Sequence, residues 1–364
     1  MSRIHHSRIH HWECGAADPF DRGHDLGRSL AAPIRTTLAD YRWLFDAAGL
    51  CDDVVRTVAE ASQKELAGWA PDLAREVEGI AAGSGLEPWE AGALTARTEI
   101  VVRGRIAGLS ECTTACWLPA SGPARAVQTW DWIPRITEFT VRRHVSQSGL
   151  TVVAFAENGV LAKLGVNSAR VGVLFTLLCH ASDGSRDGVP VHAVVRRVLD
   201  TARTVDDAVE VVRSAPLAAS AAMTVLHHDG DRTTGVVVEM SPDGVAVREP
   251  EHGFLLHTNH FLDPALAAGD RLVPIGDDTV PRMAWLREHR DVLRGRDRTG
   301  VVRNLVSHWA DGAPICAHPR AEAEETNRWE TKVTFALDLE TPALALHPGG
   351  PCAVTEPGWQ EVAA

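Results

Sequence analysis

The sequence predicts an α+β protein in which helices cover packed β-sheets. Roughly the first 105 of its 364 residues carry apolar side chains at helical spacing. After Cys112 the pattern changes to short apolar strands separated by turns such as Asn158-Gly159. The strands follow one another as antiparallel meanders while the helices stay in separate groups, which is typical of α+β proteins. The clearest boundary between helical and strand pattern is at 110–112. No low-complexity linker divides the chain.

The N-terminal region contains three helical stretches. Apolar residues recur every three or four positions over 19–45, which predicts an amphipathic helix with a kink at Pro33. A second periodic stretch covers 54–80, with Pro71 opening a new segment, and Pro88 opens a third. The tandem SRIHHSRIHH at the N-terminus indicates a strand start or an irregular terminus, with metal binding as the alternative.

The remainder of the chain contains ten predicted strands and two helical stretches, 191–212 and 281–310. The predicted strands are 124–132, 150–156, 159–166, 171–178, 223–228, 235–240, 245–248, 254–258, 332–339 and 343–347.

Composition excludes several classes of protein. Hydrophobic residues make up 45% and charged residues 23%, as in soluble globular proteins. No apolar run approaches the ~18 residues of a membrane span, and the N-terminus lacks the apolar core of a secretory signal. A net charge of −12 argues against a nucleic-acid partner. The seven scattered cysteines, an odd number, indicate reduced thiols in a cytoplasmic protein.

No nucleotide-binding glycine motif and no HExxH motif occurs, so the sequence predicts neither a metal nor a redox cofactor. Cys112 and Cys116 lie four residues apart, at the boundary between the helical and the strand region. A zinc site would need a second pair of ligands nearby, and a reducing compartment disfavours a disulfide. Cys116 is most simply a small buried side chain. Cys112 could instead be a nucleophile freed by cleavage before it, because an α-amine of pKa roughly 7.7–8.0 can act as its base.

Several motifs in order make the chain resemble a known family. They are DPFDRGHDLG (18–27), LTARTE (94–99), CTTA (112–115), QTWDW (128–132), VNSARVGV (166–173), GVPVH (188–192), LAASAAM (217–223) and HTNHF (257–261). Together, at this spacing, they resemble the acyl-coenzyme A:6-aminopenicillanic-acid acyltransferase family of N-terminal-nucleophile hydrolases, whose members cut their own chain before a cysteine.

The resemblance implies a four-layer αββα sandwich made of two associated fragments. Residues 1–111 would be a helical fragment and 112–364 the fragment carrying the nucleophile, with Glu111–Cys112 as the cleaved bond. One departure concerns Glu111: the family member compared has glycine there, which tolerates strained backbone better and predicts slower cleavage here.

The resemblance also assigns roles to single residues. Cys112 falls on the nucleophile, Asp131 on the active-site aspartate, Asn259 on the oxyanion-hole asparagine and Arg328, before the final hairpin, on an active-site arginine. Thr113 and Thr114 are predicted to support cleavage. Considered alone, Asp131 could hold a local hydrogen bond, Asn259 an Asx-turn and Arg328 a surface ion pair, and the two threonines could simply favour a strand.

The expected function is hydrolysis or transfer of an acyl group at the amide bond of a small acylated amine or amino-acid derivative. The reaction would proceed through a cysteine thioester and without a cofactor. A dedicated N-acyltransferase that uses acyl-coenzyme A is one alternative. An uncleaved, non-catalytic binding protein is another. The related penicillin V acylase and bile-salt hydrolase group is disfavoured, because its nucleophile lies near the native N-terminus.

Overall fold

Two β-sheets lie at the centre of the structure, a computed structural model that describes residues 7–104, 112–275 and 278–364. Within these ranges the strands are β1 Arg8–Cys14, β2 Thr113–Trp117, β3 Arg125–Trp132, β4 Glu138–Val145, β5 Thr151–Glu157, β6 Leu164–Asn167, β7 Val171–Leu177, β8 Ala221–His228, β9 Thr233–Ser241, β10 Gly244–Arg248, β11 Phe254–His257, β12 Glu330–Asp338, β13 Ala343–Pro348 and β14 Gln360–Ala363. The α-helices are α1 Pro19–Ser29, α2 Ala31–Ala47, α3 Asp52–Trp69, α4 Pro71–Ser84, α5 Pro88–Thr95, α6 Arg97–Val101, α7 Val191–Thr201, α8 Val205–Ser214, α9 Pro264–Ala267, α10 Thr279–His289 and α11 Arg298–Arg303.

The larger sheet has the strand order β1-β4-β5-β6-β7-β8-β9-β10, and the smaller has β11-β2-β3-β12-β13-β14. Strand β1 runs parallel to β4, whereas the other named neighbours in the described chain pair antiparallel. Most of these pairs join strands that are consecutive in the chain, whereas β1–β4, β11–β2 and β3–β12 join strands that are distant in sequence.

Side chains alternate between the two faces of each sheet, and this alternation builds the layers. Phe155 on β5 and Phe335 on β12 meet between the sheets, with ring centroids 4.7 Å apart. Alternate residues of β5, including Ala154, pack in the same apolar cluster as α7 and α8, while Ala336 shares a cluster with α10 and α11. The layer order is helix, sheet, sheet, helix, which confirms the predicted αββα sandwich.

The N-terminal helices are joined by an unusually close helix pair. A Cβ built on Gly23 of α1 would lie 2.0 Å from the Glu76 carbonyl oxygen of α4, and one on Gly79 would lie 2.2 Å from the Phe20 carbonyl oxygen. Only glycine permits this backbone approach. The glycine spacing in DPFDRGHDLG therefore has a packing reason, because it lets α1 lie directly on α4.

A buried ion cluster connects this helical region to the sandwich. Glu76 of α4 accepts hydrogen bonds from Arg22 of α1 (2.8 Å), Arg142 of β4 (3.3 Å) and Arg196 of α7 (2.7 and 2.9 Å). All four side chains are buried. Burial alone would raise the pKa of Glu76, but the charges of Arg196, Arg22 and Arg142 hold it far below its ordinary value.

The structure differs from the sequence-based prediction in the N-terminal region. Arg8–Cys14 is a strand within the region predicted to be helical, so the strand interpretation of the SRIHH repeat holds for these residues. The predicted helix over 19–45 breaks at Leu30, not at Pro33. Proline lies in the first turn of α2, where a missing N–H costs nothing.

Further differences concern the remaining segments. The predicted strand 159–166 shortens to Leu164–Asn167, and 281–310 divides into α10, a 3-10 helix at Arg290–Arg294 and α11. Strands β2, β4 and β14 were not among the predicted strands. Strand β4 looks polar in sequence because it contains Arg142, whose charge the fold pairs with Glu76. No helix in the described ranges has the length and hydropathy needed to cross a membrane.

Replacing Glu76 with alanine should lower the free energy of unfolding by about 3–5 kcal/mol, because three buried guanidinium groups lose their common partner. Denaturant titration followed by tryptophan fluorescence measures this. Glu78→Ala, on an exposed part of the same helix, is the matched control and should change the value by less than about 0.5 kcal/mol. A Glu76→Ala protein as stable as the control would show that the cluster does not hold the helices.

Candidate active site

Strand register brings three of the predicted site residues to one end of the smaller sheet. Thr113 pairs with Thr129, so Asp131 lies on β3 two residues beyond that pair, at the end of the sheet where Cys112 leads into β2. His257 pairs with Thr114, which brings Asn259 alongside Cys112 at the end of β11. Cys112, Asp131 and Asn259 are all buried.

Arg282 of α10 connects these strand ends. One guanidinium nitrogen donates to the Cys112 carbonyl oxygen (2.8 Å) and to Thr113 Oγ1 (3.0 Å). The other donates to Asn259 Oδ1 (3.0 Å), while Nε donates to Asp278 Oδ1 (2.7 Å). Arg282 is fully buried, so its planar fork fixes Cys112 and Asn259 relative to each other.

The side-chain amide of Asn259 has one defined orientation. Its Oδ1 faces Arg282, which can only donate, and its Nδ2 donates to the Leu177 carbonyl oxygen at the end of β7 (2.8 Å). The Asn259 backbone N–H donates to Thr279 Oγ1 (2.7 Å). Because an amide nitrogen carries two hydrogens, Nδ2 keeps a second N–H for another acceptor.

The Cys112 thiol is under opposing electrostatic influences. Burial raises its pKa above the ordinary value, and the charge of Asp131 raises it further. The charges of Lys163 and Arg282 and a backbone hydrogen bond from Leu177 act in the opposite direction and favour the thiolate. The result is a raised pKa, so the thiol needs a base before it can act at neutral pH.

Lys163 is a buried cation beside the nucleophile. Its Nζ lies 4.7 Å from the centroid of the Trp130 ring and 5.0 Å from that of Phe175. No carboxylate of the described chain forms an ion pair with it. Burial lowers the pKa of Lys163 to about 8, although the negative charges of the Cys112 thiolate and Glu157 act to raise it.

Asp131 is a buried carboxyl group with few partners. Neither of its oxygens has a hydrogen bond of ordinary geometry within the described ranges, although Thr331, its register partner on β12, lies beside it. Burial raises the pKa of Asp131 well above its ordinary value, although the Thr331 hydroxyl and the charge of Arg282 act to lower it. Such a group can accept a hydrogen bond from a cation brought next to it.

The structure does not bring Arg328 to the other three residues. Its guanidinium donates to the carbonyl oxygens of Ala321 and Ala323 (2.9 Å each) and lines a cavity of about 260 Å³ with Trp43 and Ile133. The guanidinium that contacts Cys112 and Asn259 belongs to Arg282 instead. Arg328 precedes strand β12, whereas Arg282 lies in the first turn of helix α10, so the distance to the final hairpin pointed to the wrong arginine for this contact.

The remaining predicted residues have varied positions. Thr113 is held by Arg282, and Thr114 Oγ1 is buried with no hydrogen-bond partner among the described residues. Cys116 is buried, which fits its interpretation as a small apolar side chain. Glu111, and with it the predicted cleavage bond, lies outside the described residues.

Sequence reasoning missed Arg282 and Lys163. Lys163 left a signal, since it is one of three lysines in the chain and lies within the apolar run Val160–Val166. Arg282 likewise lies in an apolar stretch, between Val280 and Leu286, but it is one of many arginines in the chain and no motif marks it.

A buried thiol with an amide donor and a guanidinium beside it defines a candidate site for cysteine nucleophilic chemistry. A sequence model of the acyl-coenzyme A:6-aminopenicillanic acid acyl-transferase family matches residues 117–326, more than half of the chain. The chain belongs to this family. Asp131, Lys163, Asn259 and Arg282 lie inside the matched region; Cys112 and Arg328 lie just outside it.

Individual proteins are also similar to the chain. The acyl-coenzyme A:6-aminopenicillanic-acid-acyltransferase 40 kDa form of Emericella nidulans is 29% identical over 274 residues, covering 74% of this chain and 72% of that protein. The structure of penicillin V acylase from Agrobacterium tumefaciens has a TM-score of 0.46 at 15% identity, covering 69% of this chain and 86% of that one. A mutant of the conjugated bile acid hydrolase from Clostridium perfringens has a TM-score of 0.44 at 12% identity, covering 69% of this chain and 92% of that one.

Replacing Lys163 with methionine should raise the pKa of the Cys112 thiol, because a nearby positive charge that favours the thiolate is removed. The measurement is the rate of Cys112 alkylation against pH, read by peptide mass spectrometry. The midpoint should move to higher pH in Lys163→Met and stay unchanged in Lys64→Met, which removes an exposed lysine. Equal profiles in both variants would show that Lys163 does not influence the thiol.

Proposed function

We propose that the chain is an N-terminal-nucleophile cysteine enzyme that cleaves its own Glu111–Cys112 bond and then hydrolyses or transfers acyl groups of small acylated amines. The observation that carries this proposal is the double contact of Arg282, which joins Cys112 and Thr113 to Asn259. Arg282 thereby holds the proposed nucleophile, Cys112, next to the proposed amide donor, Asn259. Family membership supports acyl transfer as the class of reaction.

Self-cleavage would begin with addition of the Cys112 thiol to the carbonyl carbon of Glu111. The C–N bond to Cys112 breaks, the thiol proton passes to the departing nitrogen, and a thioester joins Glu111 to Sγ. Water then hydrolyses the thioester, which leaves the Glu111 carboxyl group and restores the thiol. Thr113, fixed by Arg282, would keep the backbone after the bond in place.

Cleavage would give the nucleophile its own base. The new α-amine, with an unperturbed pKa of roughly 7.7–8.0, can take the thiol proton near neutral pH. Asp131 lies buried at the adjoining position of β3 and would accept a hydrogen bond from the resulting α-ammonium. The α-amine would therefore supply the base that the Cys112 thiol needs because of its raised pKa.

The mature reaction would proceed through an acyl-enzyme. The thiolate adds to the substrate carbonyl carbon, and the second N–H of Asn259 Nδ2 stabilises the oxyanion. The amine leaves with a proton from the α-ammonium, and a thioester on Cys112 remains. Water or a second amine then takes the acyl group and restores the thiol.

Hydrolysis is the proposed default. Water is always present at high concentration, so transfer to an amine needs a pocket that binds the amine and limits the access of water. Acyl-coenzyme A remains a second candidate acyl donor, and a dedicated acyltransferase is the alternative. The mechanism needs no metal or redox cofactor. The composition and the predicted reduced thiols make a cytoplasmic location part of this proposal.

The two fragments would stay associated after cleavage. Strand β1 is paired with β4, and Glu76 binds Arg142 and Arg196 across the cut. Tyr41 donates a hydrogen bond to Glu157 as well (2.8 Å, buried). These contacts are non-covalent and involve neither Glu111 nor Cys112, so they need no covalent link between the fragments.

Cys112→Ala should remain a single chain, whereas the parent protein should separate on a denaturing gel into fragments 1–111 and 112–364. The physical reason is that alanine has no thiol to add to the Glu111 carbonyl carbon. Intact mass spectrometry checks both fragments, and Cys51→Ala, at an exposed cysteine, is the control that should be cut normally. Cleavage of Cys112→Ala at the same bond would assign processing to another protease. A single-chain parent would favour the non-catalytic binding protein.

Asn259→Ala should lower kcat by roughly 10²- to 10³-fold with folding retained, because one oxyanion donor is lost. The assay supplies an acylated amine with and without a competing free amine, and quantifies both acid and new amide. Acid should dominate in the parent, and both products should fall equally in the variant, since they share the acyl-enzyme.

The matched control is Asn304→Ala, at an exposed position after α11, which should keep parental kcat. Parental kcat in a correctly processed Asn259→Ala protein would remove Asn259 from the site. Negligible acid with abundant amide in the parent would replace the hydrolase with the acyltransferase alternative.

A further inference from the structure

Four potential metal ligands, three from segment 308–318 and one from the turn after β13, lie together beside the start of β12. They are His308, Cys316, His318 and Cys352, and their ligand atoms all lie within 4.8 Å of one another. His318 Nε2 lies 3.6 Å from Cys316 Sγ and 3.4 Å from Cys352 Sγ. The set contains two thiols and two imidazoles.

These distances suit one tetrahedral zinc ion. With Zn–S of about 2.3 Å and Zn–N of about 2.0–2.1 Å, the sulphur–nitrogen edge of a tetrahedron is about 3.6 Å. The two edges in the structure, 3.6 and 3.4 Å, are close to that length. Two cysteines and two histidines are a common ligand set of structural zinc sites.

The surrounding backbone is shaped around these ligands. The Cys316 N–H donates to the Ser307 carbonyl oxygen (2.9 Å), which brings the start and the end of the segment 307–318 together. A Cβ on Gly350 would lie 2.5 Å from Cys316 Sγ, so glycine is needed there for the sulphur to fit. Cys352 follows in the 3-10 helix Pro351–Ala353.

We propose that His308, Cys316, His318 and Cys352 bind one structural Zn²⁺. Four protein ligands complete the coordination and leave no open position for a substrate, which separates this site from metal catalysis. The ion would tie segment 307–318 to the turn that follows β13. The sequence predicted scattered thiols and no metal, because three of the ligands lie within 308–318 while the fourth is at 352.

The site would also influence the neighbourhood of Asp131. The Ala317 N–H donates to Thr331 Oγ1 (2.9 Å), and the Thr331 N–H donates to the Ala317 carbonyl oxygen (3.0 Å). Thr331 is the register partner of Asp131. Zinc would therefore hold the strand that flanks the proposed active site, without touching the reacting atoms.

The test uses full-length protein without a histidine tag, purified under reducing conditions and then incubated with ZnCl₂ and desalted. Elemental analysis by mass spectrometry should find about one zinc per chain in the parent. Cys352→Ser should weaken zinc binding by more than about 100-fold, because loss of a direct ligand exceeds the 10- to 100-fold effect of losing a ligand's own partner. Cys51→Ser, which also removes an exposed cysteine, should keep parental affinity.

A second measurement does not depend on a variant folding. Cobalt added to the metal-free parent should give thiolate-to-Co²⁺ charge-transfer absorption and the visible bands of tetrahedral cobalt, and zinc should abolish both. A variant with His5, His6, His10 and His11 replaced by alanine separates this site from the N-terminal histidine repeat, and it should still bind one zinc.

Three outcomes would overturn the proposal. The reduced parent could bind no zinc and give no thiolate–cobalt band. Zinc could remain at parental affinity in Cys352→Ser or be lost in the N-terminal variant. Thiol counting could find a Cys316–Cys352 disulfide in the reduced preparation, which would make the cluster a redox pair.

Discussion

The carboxylate of Glu76 is the interaction on which the arrangement of the helices depends. It is buried where α1, α4, α7 and β4 meet, and three guanidinium groups surround it. A buried carboxylate is costly unless it is paired, and three buried arginines are equally costly without it. The cluster therefore fixes one relative placement of the N-terminal helices and the sandwich. Two of its arginines lie after residue 112, so the placement does not depend on the peptide bond at 111.

The alignment of the two sheets determines where the residues of the candidate site lie relative to one another. Gln128 of β3 accepts a hydrogen bond from the Phe175 N–H (3.1 Å) and donates one to the Phe175 carbonyl oxygen, so a side chain of one sheet binds the backbone of the other. Two residues later, Leu177 accepts from Asn259. The hydrogen bonds of Gln128 thus fix the position of β7 relative to β3. Strand β7 in turn fixes the position of Asn259 relative to Cys112, through the Leu177 carbonyl oxygen.

The sequence revealed those parts of the fold and site that depend on local pattern. Strands β3, β7 and β8 follow from apolar runs. The roles of Cys112, Asp131 and Asn259 were predicted from the family resemblance, and the structure brings these residues to one end of the smaller sheet. What it did not reveal depends on distant partners. Strand β4 was missed because the partner that neutralises Arg142 lies 66 residues away in sequence, on α4. Arg328 was chosen by its distance to a turn, whereas the structure brings Arg282 to Asn259 from a helix.

Burial of charge supports the proposal that cleavage completes the candidate site. In the described chain Asp131 is a buried carboxyl group without a hydrogen bond of ordinary geometry, and Lys163 is a buried cation that lies over two aromatic rings and forms no ion pair there. Both conditions are unfavourable in a low-dielectric interior. An α-ammonium at Cys112 would bring a donor to Asp131 and thereby favour its ionised form. The Cys112 thiolate would provide an opposite charge for Lys163, whose own charge already favours that thiolate. The groups that the uncut chain leaves poorly paired are the ones that an N-terminal cysteine, in its ammonium–thiolate form, would satisfy.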